Sequence, residues 1–349
     1  MVSKLRVGIS AVLWLTLMSG IAAVYFWQWL HRDYWVEEDK RNFVVAKGES
    51  LVSVARRLHE QDMLRWPMVW RLYAQYLNPG SIKVGEYRFL DRETPVSMLR
   101  RFQSGAVITY SVTLVEGLTF RDWLELLALQ PKLNLTLAGK SLEEQLKLLN
   151  LELDHPEGWF YPDTYQFVAG DSDVTLLRRA HQLMRQFLER EWINRSPDLP
   201  YTTPYEALVM ASIIEKETGL ASERSDIAGV FVRRLRAGMR LQTDPTVIYG
   251  LGSDFTGNLT RQHLRQAGPY NTYANSGLPP TPIAMPSGAA IHAALHPAGG
   301  ATLYFVARGD GSHHFSSTLE EHNRAVQQYQ RQRRKDYRSS PAPSTEPQP

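Results

Sequence analysis

The chain has 349 residues, a formal net charge of +3 and 43% hydrophobic residues, which suits a globular protein of two or three domains. So small a charge, with no basic run interleaved with aromatics, argues against a nucleic-acid binder. Cysteine is absent, which excludes disulfides, thiolate metal sites and cysteine nucleophiles and is compatible with an oxidising compartment without requiring one.

Val7 to Leu30 is uncharged, rich in Leu, Val, Ala and Trp, and long enough to span a bilayer. Lys4 and Arg6 precede it, and Glu37-Glu38-Asp39 lies beyond it. This asymmetry predicts a cytoplasmic N-terminus, although Arg32, Lys40 and Arg41 weaken it. Trp27 and Trp29 fit an interfacial belt. A cleaved signal peptide is the competing reading, but Ala22-Ala23 beside Val24-Tyr25-Phe26 is a poor cleavage site.

After a charged stalk, Phe43 to Leu51 reads as a strand, a turn at Gly48 and a helix capped by Ser50. Helices are predicted over Leu51–His59 and Trp66–Tyr76, then a strand over Val84–Phe89. This β-α-α-β order resembles a LysM module. Val112 to Phe120 echoes Phe43 to Leu51, with Gly117 in place of Gly48 and Thr119 in place of Ser50 as the cap of a helix over Arg121–Leu129. A shared packing solution and the coincidence of a common turn both account for the echo. Helices are expected around Leu142–Leu149 and over Val174–Trp192. Between them, Glu157-Gly-Trp-Phe-Tyr-Pro-Asp-Thr-Tyr165 supplies aromatics that suit either sugar stacking or a hydrophobic clamp.

Pro204 starts a helix running from Glu206 to Thr218 with Gly219 as its stop. It contains Ala211-Ser-Ile-Ile-Glu-Lys-Glu-Thr218, with two carboxylates two residues apart, hence roughly 160° apart around the axis. Glu217 falls within the arc of Met210, Ile213 and Ile214, and Glu215 falls outside it. Burial and the negative end of the helix dipole both raise a carboxyl's pKa, which is what a general acid needs near neutral pH. A Glu solvated or paired with a basic neighbour is the bland alternative. Further on, Ser222 is a candidate cap for a helix over Glu223–Ala237, ended by Gly238. Tyr304–Val306 and His313–Phe315 read as a hairpin around Gly309-Asp-Gly311. From Arg331 the chain turns basic and then Ser/Pro-rich, and disorder is expected.

Gln242, Thr243, Asp244, Tyr249, Asn271 and Tyr273 are the polar groups that suit hydrogen bonding to a carbohydrate. Asp244-Pro245 and Asn271-Thr272 also read as turn formers, and the tyrosines as core. No phosphate-binding loop, His-Glu-x-x-His motif or serine nucleophile elbow occurs. His292 and His296 are spaced to share a helix face, but Pro297 points to a helix end and no third ligand stands out. No metal and no cofactor are therefore expected.

The run Ala-Ser-Ile-Ile-Glu-Lys-Glu-Thr, then Ala-Ser-Glu-Arg, then Gly-Met-Arg-Leu-Gln-Thr-Asp-Pro-Thr-Val-Ile-Tyr-Gly250, with Tyr-Asn-Thr-Tyr273, Gly-Leu-Pro-Pro-x-Pro-Ile283 and Tyr-Phe-Val306, resembles the YceG-like family from about Phe43 to Gln328. The resemblance implies a lytic transglycosylase that cuts MurNAc–GlcNAc β-1,4 bonds within peptidoglycan strands and leaves 1,6-anhydro ends. It implies Glu217 as the catalytic acid and base and a bacterial inner-membrane location with the bulk of the chain periplasmic; an anchored endolytic enzyme is in turn expected to act beside membrane glycan synthases of the penicillin-binding type. Two other readings stay open. One is a muramidase-type hydrolase pairing Glu217 with Asp244, Asp163 or Glu157, and the other is a non-catalytic peptidoglycan-binding scaffold.

The expected fold class is α+β. The expected layout is a cytoplasmic N-terminus (1–6), a transmembrane anchor (7–30), a stalk (31–41), a LysM-like module (42–91), an intermediate strand and helix region (92–200), a mixed α/β catalytic domain (201–330) and a disordered tail (331–349).

Overall fold

The computed structural model describes residues 2–331. The tail expected to be disordered lies, apart from Arg331, outside the described residues. The chain divides into two compact units: residues up to Tyr110 together with Gln166–Asp171, and Ser111–Tyr165 together with the chain from Ser172 onward.

The first unit begins with helix α1 (Val2–Leu30). Its Val12–Leu30 portion has a mean hydropathy of 1.3 and is long and apolar enough to cross a membrane. Its last turn is not free. Trp29 and Leu30 are buried, Trp29 Nε1 donates to the Tyr34 hydroxyl at 3.2 Å, and the Trp29 ring lies 5.3 Å from that of Trp66. Strands β1 (Tyr34–Trp35) and β2 (Asn42–Val45) follow. Helix α2 (Leu51–Glu60) is capped by Ser50, whose side chain accepts the Ser53 N–H at 3.2 Å. Helix α3 (Pro67–Leu72) ends earlier than expected, because the chain passes into a π-helical turn over Tyr73–Leu77. Strand β3 (Gly85–Arg88) pairs antiparallel with β2, from Asn42↔Arg88 to Val45↔Gly85. The β-α-α-β order read from the sequence is thus present.

Strand β4 (Arg92–Glu93) pairs with β1, and α4 (Pro95–Ser104) closes this core. Phe43, Leu58, Trp70, Tyr87, Phe89 and Phe102 pack together there. Trp70 satisfies its buried indole N–H on the Pro95 carbonyl at 2.8 Å. Buried Glu93 is matched by Arg101 at 2.7 Å.

Strand β5 (Thr109–Leu114) leads on into the second unit. Helix α5 (Phe120–Ala128) has a full capping box between Thr119 and Asp122, and α6 (Leu142–Leu149) has one between Ser141 and Glu144. Gly48 and Gly117, the pivots of the internal echo, share a left-handed backbone at φ 79° and 74°. Strand β6 (Asp163–Val168) pairs with β5. Helices α7 (Asp173–Ile193), α8 (Pro204–Glu217), α9 (Arg224–Arg236), α10 (Asp244–Leu251), α11 (Arg261–Arg265) and α12 (Gly288–Leu295) follow. The unit ends with the hairpin β7 (Tyr304–Ala307) and β8 (His313–Ser316) and helix α13 (Leu319–Val326). The hairpin register runs from Tyr304↔Ser316 to Ala307↔His313, and its turn glycines, Gly309 and Gly311, both have φ near +90°.

This unit is a helical core with two-stranded ribbons: every sheet among the described residues has two strands. Helix α8 lies at the centre, with α12 packed along it and α7, α9 and α10 beside it. Every residue from Ala207 to Ile214 is buried. A helix enclosed on all sides has no solvent face to reveal in its periodicity, which matters for reading its two carboxylates.

Candidate active site

Helix α8 is pinned at its start by a capping box. Thr203 accepts the Glu206 N–H, and the Glu206 carboxylate accepts the Thr203 N–H, both at 3.2 Å. At the other end the expected glycine stop is corrected. Gly219 is not left-handed. Thr218 turns the chain into extended backbone at φ −142°, and its hydroxyl accepts the Leu220 N–H. Glu217 is therefore the last helical residue, and the buried body of the helix holds it in place.

The Glu217 carboxyl accepts a short hydrogen bond from the Thr243 hydroxyl. Desolvation pushes it up to about 7. The Thr243 bond pulls the other way, the Asp244 charge adds to the rise, and Arg234 counters it. Glu217 keeps part of its surface open to solvent.

Glu215 lies outside the arc of Met210, Ile213 and Ile214 yet does not turn to water; only 6% of its side chain is exposed. Its carboxylate accepts the Ser287 N–H at 2.9 Å and the Ser287 hydroxyl, and lies 3.8 Å from Arg224. Both carboxylates thus point into protein, with different partners. Glu215 is fully committed to fastening the start of α12, whereas Glu217 has a single hydroxyl donor.

Around Glu217 the structure gathers three of the six polar candidates. Thr243 is buried and occupies the N-cap position of α10, yet its side chain does not cap that helix, because the hydroxyl is turned to Glu217. Its backbone is clamped instead: its N–H donates to Thr272 Oγ1 at 3.1 Å, and its carbonyl accepts the Thr246 hydroxyl at 2.8 Å. Asp244 is exposed and accepts the Tyr273 hydroxyl at 2.6 Å. Desolvation and then that Asp244 bond raise the Tyr273 phenol well above its ordinary value, with Glu217 adding to the effect, so it stays a neutral donor.

Gln242 sits beside this group at a left-handed φ of 54°, unusual for a residue with a side chain. Its side-chain oxygen lies 3.4 Å from Arg234 Nη1. Asp244-Pro245 is not merely a turn. It opens α10, a helix absent from the sequence expectation, with Pro245 in its first turn.

The other candidates lie elsewhere. The Asn271 amide donates to the carbonyls of His263, Leu264 and Gln266, and its oxygen accepts the Tyr273 N–H, so both ends serve the loop backbone. The Tyr249 hydroxyl donates to Glu157 at 3.2 Å. Glu157 is buried, also accepts the Phe120 N–H at 3.0 Å, and is pushed up to about 8, mainly by desolvation. Asp163 is exposed in β6, where it accepts the Thr164 N–H.

Tyr249 and Glu157 border a cavity of about 850 Å³, together with Thr119, Asp122, His155, Lys216 and Pro245. Glu217 is not in its wall, although Lys216 precedes Glu217 and Pro245 follows Asp244. The cavity takes one face of α10, and the Glu217 cluster takes its N-terminal end.

Sequence reasoning missed Arg234. This buried residue of α9 donates to the carbonyls of Leu303 at 2.7 Å and Leu241 at 2.8 Å, and it sits 5.0 Å from the centre of the Tyr304 ring. It supplies positive charge near Glu217. The available signal was Arg233-Arg234 directly after the apolar run Ile227 to Val232. Ser222 is corrected as well. A 3-10 turn over Ala221–Glu223 precedes α9, and no side chain caps that helix.

The profile of the YceG-like family matches residues 43–328. The chain belongs to that family. An endolytic murein transglycosylase of Bacillus subtilis (strain 168) is 28% identical over 319 residues, covering 84% of this chain and 87% of that protein. An endolytic murein transglycosylase of Streptococcus pneumoniae is 23% identical over 325 residues, and this chain spans 57% of its length. The crystal structure of a yceG-like protein from Listeria monocytogenes has 29% identity and a TM-score of 0.50, covering 84% of this chain and 99% of the other.

Proposed function

We propose that the chain is an endolytic peptidoglycan lytic transglycosylase with Glu217 as its acid and base. Membership of a family whose relatives carry that name supports the activity. The observation that carries the residue assignment is the Glu217 carboxyl, pushed up to about 7 at the end of a buried helix beside the Asp244–Tyr273 pair. A carboxyl poised there gives a proton readily and takes one back readily.

In the first half-reaction Glu217 protonates the glycosidic oxygen of the MurNAc–GlcNAc bond. The C1–O bond breaks with its electron pair going to that oxygen. Positive charge develops at the sugar C1 and its ring oxygen, and the nearby Asp244 charge favours it electrostatically. In the second half the Glu217 carboxylate removes the proton from the C6 hydroxyl, and O6 bonds to C1. The 1,6-anhydro ring closes, Glu217 regains its proton and no water is consumed. Thr243 steadies the ionised form between the two halves. One carboxyl acts twice, so the paired carboxylates of ordinary glycosidases are not needed.

The Val12–Leu30 helix, with Lys4 and Arg6 before it, supports an inner-membrane anchor with a cytoplasmic N-terminus and a periplasmic bulk. The β-α-α-β order of the first unit suits a LysM-like glycan-binding module. An anchored endolytic enzyme is suited to terminating nascent strands beside membrane glycan synthases of the penicillin-binding type.

The test is mass spectrometry of chain ends after incubating uncrosslinked glycan strands with the full chain and with Glu217→Gln. Anhydro ends that vanish in the variant are expected. Reducing ends instead would overturn the transglycosylase in favour of a hydrolase with a second carboxylate. Equal products from parent and variant would overturn the Glu217 assignment.

A further inference from the structure

His292 and His296 share a helix face in the sequence but have no evident third partner there, and the fold brings one in. Glu191 stands near the end of α7, and its Oε2 meets His292 Nδ1 at 2.7 Å across a separation of 101 residues. The His296 ring stacks on that of His292 with centroids 4.3 Å apart. One donor atom from each of the three side chains lies within 4.8 Å of the other two. We propose that Glu191, His292 and His296 form a binding site for a divalent transition-metal ion of the zinc type, bridging α7 and α12.

The donor chemistry selects the ion. Two imidazoles and one carboxylate make a set that zinc and its neighbours use, with a fourth position left for water. Calcium and magnesium require mostly oxygen donors, so they do not fit. Ligand bonds of about 2.1 Å in a tetrahedron place donor atoms about 3.4 Å apart. Donors already within 4.8 Å reach that spacing by small side-chain rotations.

His292 is exposed and has room to rotate, whereas Glu191 and His296 are partly buried and held. Ser196 Oγ lies 3.5 Å from His296 Nδ1 and orients that ring from outside. The opposing group is Arg190, 3.6 Å from the other Glu191 oxygen. It lowers the site's negative charge without occupying the oxygen that faces His292.

The site shares no residue with the Glu217 cluster, and the proposal does not depend on the catalytic reading. Its structural consequence is nevertheless directed there. Helix α12 is capped by Ser287, which holds Glu215 of α8. An ion at the other end of α12 would fasten α7 to the helix that supports the Glu217 helix.

The test uses the untagged, chelator-treated full chain, titrated with Zn²⁺ in a calorimeter at neutral pH. Glu191→Gln and His292→Ala are titrated in parallel, and Tm is measured with and without Zn²⁺. One ion per chain is expected, with Tm raised in the parent but not in the variants. Affinity should fall in each variant by at least the ~100-fold that loss of a ligand's outer partner can cause. Glu191→Gln keeps side-chain size and therefore guards against misfolding as the explanation. No stoichiometric binding by the parent, or affinity unchanged in either variant, would overturn the site.

Discussion

Glu217→Gln should make the protein more stable as well as inactive, and only above a definite pH. The carboxyl titrates near its ordinary 4.5 in the unfolded chain and at about 7 in the folded one. Below 4.5 both states hold the proton, and Glu217 costs nothing. Between 4.5 and 7 the unfolded chain releases the proton while the folded chain retains it, so native stability falls as pH rises. Above 7 the full penalty applies, at most ~3 kcal/mol for a gap of ~2.5 units.

Gln has the same shape, keeps an oxygen to accept the Thr243 hydroxyl, and carries no such penalty. The variant should therefore gain up to ~3 kcal/mol over the parent at pH 8, or roughly 6–12 °C in Tm for a unit of this size. At pH 4 the advantage should be gone. The assay is calorimetric unfolding of parent and variant across that range. Because Glu157 is also raised and contributes the same pH trend to both proteins, the difference between the two curves is the quantity to read. A difference that does not change with pH would refute the claim that Glu217 is a desolvated acid, whatever the variant's activity.

Thr243→Val removes the hydroxyl donor while preserving shape. A hydrogen bond to a charged group is worth ~1.5–3 kcal/mol, so the alkaline limb of the rate–pH profile should move up by ~1–2 units; an unmoved limb would remove Thr243 from the mechanism. Ser287→Ala strips one donor from Glu215 and the cap from α12, so Tm should drop by the equivalent of ~1–3 kcal/mol with the pH profile unchanged. Gly229→Ala should destabilise strongly, since its Cβ would sit 2.4 Å from the Ala298 carbonyl oxygen, a backbone atom with little freedom to retreat. A Tm within a degree of the parent would show that the α9 contact gives way more easily than the geometry indicates.

Part of the local punctuation of the chain was legible because it is written in adjacent residues. Ser50 and Thr119 cap helices by accepting N–H groups three residues on, and the bounds of α6 and the hairpin β7–β8 follow from equally local signals. What was hidden depends on distant partners. Helical geometry sets Glu215 outside the arc that holds Glu217, but Ser287, 72 residues away, makes an inward position tolerable. Since α8 is buried on all sides from Ala207 to Ile214, its arc alone does not separate the roles of the two carboxylates. Helix α10 was concealed because Thr-Asp-Pro reads equally as a turn or a helix start, and Thr243 declines its capping role to serve Glu217. Arg234 was overlooked because the carbonyls that hold it come from Leu241 and Leu303.

The burial of Trp29 and Leu30 has a mechanical consequence. The last turn of α1 is part of the hydrophobic core of the first unit, so the end of the helix cannot move without that core. Were α1 to cross a bilayer, as proposed, a tilt imposed by the bilayer's thickness would be passed to the β-α-α-β unit through that shared core. A membrane of different thickness would re-aim that unit without altering a single contact within it.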